Sequence, residues 1–110
     1  MNLKKKALNY FKLFSSKDLD GLINVFDQKI LLKDWLIEKK GINNVLKVNK
    51  TTFKKFKKIS VKVEDIYINT KKKSVACKII IKLDRIKLNV IDLIYFNKKN
   101  KISKLEAYKL

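Results

Sequence analysis

The chain contains no histidine and no proline, only two glycines, one cysteine, and a single arginine among 28 basic residues. Without histidine, Ser-His-Asp and Cys-His nucleophilic catalysis is excluded, as are metal sites built on imidazole. Gly21 and Gly41 stand alone, so no glycine-rich phosphate loop exists and nucleotide-driven chemistry is disfavoured. The lone Cys77 cannot form an intrachain disulfide, and its apolar surroundings suit an inert core thiol in a reducing cytoplasm. With no proline, no low-complexity tract and no repeat, nothing marks a linker, and 110 residues are read as one domain, 1–110. No run approaches the roughly 18 apolar residues of a membrane span. The start, MNLKKKALNYFKLF, begins like a signal peptide, but Asn9 and Lys12 interrupt its apolar segment and no small-residue cleavage site follows. A cytoplasmic protein without a membrane role is expected.

Acids are scarce as well, ten against the 28 bases, for a net charge of +18. Such a charge points first to nucleic acid. The lysines are scattered, however, and the two-pronged residue that phosphate recognition usually recruits is nearly missing. Nucleic acid is therefore disfavoured, and the excess of Lys, Ile and Asn is read as the bias of an AT-rich genome.

Leu3, Ala7, Tyr10, Phe11 and Phe14 recur at helical spacing and predict an amphipathic helix over the first fourteen residues. SSKD breaks it, and Ser16 or Asp18 can cap a shorter helix with the stripe Leu19, Leu22, Ile23 and Phe26. ILLKDW, Ile30 to Trp35, reads as a strand placing Ile30, Leu32 and Asp34 on one face, and IEKKG after it as a turn. Ile42, Val45, Leu46, Asn49, Phe53 and Phe56 then trace a long helix on which Asn49 is the polar exception.

From residue 59 the period changes to two. ISVKVEDIYIN, SVACKIIIKLD, KLNVIDLIYF and KISKLEAYKL predict four strands joined by the turns TKKK, DRIK and NKKN, with a bulge where the alternation slips near Asp65. In NVIDLIYF, Asp92 shares a strand face with Leu88, Val90, Ile94 and Phe96. An ionised carboxylate on such a row is paired, exposed, or kept neutral by desolvation. Pairing with Lys78 or Lys82 is one way out. The predicted class is α+β: a cone-like roll with two N-terminal helices and one long helix packed on a curved, mostly antiparallel sheet that encloses a pocket.

This order, together with NYFKLFSSKDLDGLINVFDQKILLKDW, GINNVLKVN and VIDLIYFNKKNKISKLEAYKL, resembles the nuclear transport factor 2-like superfamily, which includes the SnoaL-like cyclases and the ketosteroid isomerases. The resemblance implies a ligand pocket capped by helices, a homodimer, and, if there is a reaction, cofactor-free proton transfer. It excludes the dehydratase branch, which relies on histidine. Carried over residue by residue, it implies Asp34 as general base and Tyr10 and Asp92 as oxyanion donors, with Phe14, Phe26, Trp35, Asn49, Phe53, Val90 and Ile94 lining the pocket. Where the isomerases carry tyrosines, Asn49 and Phe26 stand here, and Trp35 replaces the proline that commonly follows the base. A small apolar or carbonyl-containing ligand is the expected partner. The alternative is a non-catalytic module of the same fold that binds a ligand or a protein.

Overall fold

The computed structural model describes residues 2–110. Helix α1, Leu3–Ser15, starts where the Asn2 carboxamide oxygen accepts the Lys5 N–H at 3.0 Å, and it buries Leu3, Ala7, Tyr10 and Phe11. Lys17 turns the chain with a left-handed φ of 59°, and Asp18 then caps α2, Leu19–Val25, by accepting the Gly21 N–H at 2.8 Å. A side chain on Gly21 would begin 2.8 Å from the Asp18 carboxyl and 2.5 Å from Leu13, so any larger residue there shifts those two side chains.

The second helical stripe ends earlier than expected. Ile23 is exposed, and Phe26 opens strand β1, Phe26–Lys33, with extended backbone. This strand is longer at its start than the predicted one and stops short of Asp34. The stretch expected as a turn instead contains a short edge strand, β2, Glu38–Lys40, paired antiparallel with Leu31–Lys33. Gly41, at φ 86°, leads into α3, Ile42–Lys55, and its N–H donates to the Ile30 carbonyl at 2.8 Å.

Strands β3, Ile59–Asn69, β4, Ser74–Leu83, β5, Ile86–Phe96, and β6, Ile102–Lys109, form the antiparallel meander. The sheet order is β2-β1-β6-β5-β4-β3, antiparallel throughout except for β1 beside β6. Its register shifts between Val63 and Asp65, where the alternation of the sequence slips. A bulge there bends the strand and helps curve the sheet.

The inner sheet face and the helices share one core in which Ala7, Leu22, Ile30, Val45, Ile79 and Ile94 have no exposed surface. Asp84, left-handed in the β4–β5 turn, accepts the Lys57 and Lys58 N–H groups at 3.2 and 2.8 Å, fastening the segment after α3 to that hairpin. No helix among the described residues is long and apolar enough to cross a membrane.

Candidate functional site

Between the helices and the curved sheet lies a cavity of about 300 Å³ whose wall is mostly apolar. Helix α1 contributes Tyr10, Phe11 and Phe14, while α3 contributes Val48, Asn49 and Thr52. The segment after β1 brings Asp34, Trp35 and Leu36 to the rim, and β5 brings Leu88, Val90 and Asp92. No lysine or arginine lines it, so the cavity of this strongly basic chain contains two acids and no compensating base.

Asp92 stands on β5 opposite Cys77 of β4 and Ala107 of β6, all on the inner face. Lys78 lies one position along β4 and therefore on the other face, as does Lys82, and both are exposed, so neither pairs with it. Asp92 itself is half-buried, and it lines the cavity. Burial first, and the charge of Asp34 second, push its carboxyl up from the ordinary 3.8 to about 7. No hydrogen bond is among the causes of that shift. The odd acid in NVIDLIYF is thus neither paired nor on the outer surface.

Tyr10 is buried in an aromatic cluster, with ring centroids 5.4, 6.4 and 6.1 Å from those of Phe11, Phe14 and Phe26. Its phenol is pushed well above the ordinary 10, by burial and then by the Asp92 charge, so it is a proton donor at any physiological pH. Cys77, fully buried behind Asp92, is raised to about 12 by the same two causes and is an inert thiol.

Asp34 is used differently. Its Oδ1 accepts the N–H groups of Leu36 at 2.7 Å and Ile37 at 2.9 Å, while its own N–H donates to the Ile37 carbonyl at 2.9 Å. These bonds hold the β1–β2 turn at the cavity rim and leave Oδ2 for another partner.

The three residues carried over from the resemblance therefore face one space, as do Phe14, Trp35, Asn49 and Val90. Phe26, Phe53 and Ile94 belong to the close-packed core and are not part of its wall. Helical and strand periodicity marks them as buried, and a buried side chain can face other side chains as readily as a hollow. The wall from β3, β4 and β6, including Val61, Ile79, Ile81 and Ala107, was not anticipated, although Ile79 and Ile81 share the strand parity of Cys77. Phe56, the last residue of the α3 stripe, also reaches the wall.

No protein-family model matches the sequence, and no curated protein matches it. Solved structures do match. A SnoaL-like protein of unknown function from Burkholderia thailandensis superposes with a TM-score of 0.86 at 10% identity over 98% of this chain and 93% of that one. The epoxide hydrolase/cyclase-like enzyme SalBIII, of pyran ring formation in the polyether salinomycin, gives 0.81 at 16% over 98% and 90%. A steroid delta-isomerase from Pseudomonas aeruginosa gives 0.77 at 15% over 98% and 79%. At these identities the likeness is one of fold, the cone of the nuclear transport factor 2-like and SnoaL-like proteins, some of which are isomerases and cyclases.

Proposed function

We propose that the cavity binds a small carbonyl compound and moves a proton beside its carbonyl without a cofactor. The observation that carries this reading is a division between two acids in one apolar cavity. Asp34 sits at the rim with Oδ1 held by backbone and Oδ2 left over, while Asp92 sits in the wall and retains its proton up to about pH 7. Two carboxyls in unlike surroundings, one in a turn at the rim and one in the apolar wall, suit one base and one acid, a pattern known from ketosteroid isomerase.

Asp34 Oδ2 takes a proton from the carbon next to the carbonyl. The C–H electrons form a carbon–carbon double bond, the carbonyl π electrons move to oxygen, and the resulting enolate oxygen accepts hydrogen bonds from the Tyr10 hydroxyl and the protonated Asp92 carboxyl. Donors fixed in a water-poor wall are worth more there than in water, because they need no reorganisation as charge develops. Returning the proton to another carbon gives an isomerase, and attack by the enolate on an internal electrophile gives a cyclase.

The test is deuterium incorporation at C1 of 2-tetralone in heavy water, followed by proton NMR. The wild type is expected to accelerate exchange over buffer, and Asp34→Asn to lose that acceleration by about a hundredfold or more, within the usual range for a general base. Asparagine keeps the Oδ1 acceptor of the turn, so the loss would report the base rather than the fold. Exchange at the buffer rate with wild type, or unchanged in the variant, contradicts the proposal.

One observation favours a second reading. The two backbone N–H bonds already give Asp34 a structural task, which fits a non-catalytic module that binds a ligand in the same cavity. We also propose a homodimer through the outer sheet face, where Tyr67 and Tyr108 are exposed beside Leu93 and Ile91, around the 2.9 Å Lys104–Glu106 pair.

A further inference from the structure

Asn49 is the one buried polar residue among the buried side chains of the described chain, 5% exposed, and it lies on the core stripe of α3 in the cavity wall. Its Nδ2 is also the only fully enclosed side-chain nitrogen or oxygen among the described residues without a hydrogen-bond partner. Native interiors seldom leave such a donor unpaired, because an apolar side chain of the same size would avoid the desolvation cost. The neighbouring polar group on the helix does not serve it: the Thr52 hydroxyl donates to the Val48 carbonyl at 3.0 Å. Backbone and side chains provide no other acceptor.

We infer that Asn49 is a specificity residue whose carboxamide turns about its Cβ–Cγ bond to bring the enclosed N–H to the cavity, where it donates to a second oxygen of the ligand, distinct from the carbonyl held by Tyr10 and Asp92. The inference rests on the proposed reading of the cavity as a carbonyl site and narrows the ligand it takes. That second oxygen is neutral, a carbonyl, ether or hydroxyl. A carboxylate would be buried beside Asp34 and Asp92 with no lysine or arginine in the wall to pair with it. Size narrows the class further. At about 300 Å³ the cavity stands at the lower end of small-molecule sites, which suits a one- or two-ring compound with oxygen functions at two separate positions.

The probes are 2-naphthol, whose hydroxyl addresses Tyr10 and Asp92, and its 5-, 6- and 7-acetyl derivatives, which step a second acceptor around the distal ring. Each acetyl compound is paired with the isopropenyl analogue, in which CH2 replaces the carbonyl oxygen. Binding is followed by naphthol fluorescence to wild type, Asn49→Leu and Asn49→Ala. At least one acetyl probe is expected to bind wild type tenfold or more tighter than its isopropenyl partner. Both variants should abolish that advantage, so that each acetyl probe binds them no tighter than its isopropenyl partner does. No advantage at any position in wild type, or one that survives in either folded variant, overturns the inference, and the wild-type comparison decides it even where neither variant folds. Failure of wild type to bind 2-naphthol at all removes the carbonyl-site reading beneath it, and is a separate outcome.

Discussion

Replacing Asp92 by asparagine should make the protein less sensitive to pH, by an amount that follows from the surroundings of the carboxyl. In the folded protein the group releases its proton near pH 7, against an ordinary 3.8 when unfolding exposes it to water. Between those values the native state binds more protons than the unfolded one, so the contribution of Asp92 to stability is fully present below about pH 4 and is lost as pH rises through 7. Three units correspond to roughly 4 kcal/mol, a ceiling because water entering the cavity would screen the charge. Asparagine has nearly the same shape and cannot ionise. Urea unfolding of both proteins from pH 4 to 8.5 isolates the residue, because every other titrating group is common to them. Near pH 4 the two midpoints should be close. By pH 8 the variant should unfold at the higher urea concentration, by about 1 M or more given slopes of about 1–3 kcal/mol per molar. A difference that does not change across this range would mean that Asp92 titrates as a solvated carboxylate, and the argument from its apolar wall would be wrong.

Other consequences can be measured directly. Asp34→Ala removes the acceptor for the Leu36 and Ile37 N–H groups and should cost about 1 kcal/mol in urea unfolding, whereas Asp34→Asn should cost little. Asp18→Ala removes the acceptor for the Gly21 N–H at the start of α2 and should lower stability by about 1 kcal/mol, seen as a lower thermal midpoint. Ile79→Ala, at a fully buried site in the central sheet, should cost about 2–5 kcal/mol. Leu93→Lys on the outer sheet face should yield a monomer in analytical ultracentrifugation with an unchanged circular dichroism spectrum. A wild type that is itself monomeric would contradict the proposed pairing.

Where periodicity had one physical cause, it could be read without coordinates. The α1 stripe from Leu3 to Phe14 and the slip near Asp65 in β3 are both found at the expected residues. Phe26 was misleading because it continues a helical spacing, although its backbone is already extended and its ring joins the Tyr10 cluster from β1. Strand β2 left no trace in hydropathy, since Glu-Lys-Lys has no apolar side chain and is a strand only through pairing with Leu31–Lys33. For the cavity, Asp92 was conspicuous as an acid on a greasy row and Asn49 as a polar break in a core stripe. Which core side chains border empty space, as Ile81 does and Ile94 does not, depends on sheet curvature and helix placement, and no local pattern encodes that.

The central claim, that Tyr10 and a protonated Asp92 receive developing negative charge on a ligand oxygen, is tested most directly by phenols of graded acidity and similar shape. Their affinities for wild type and Asp92→Ala would be measured by fluorescence at pH 6, where Asp92 is predominantly protonated. Affinity that varies systematically with phenol acidity, and that falls tenfold or more when Asp92 is removed from a folded protein, is the predicted result. Phenols that do not bind, or that bind wild type and variant equally at every acidity, would contradict the account.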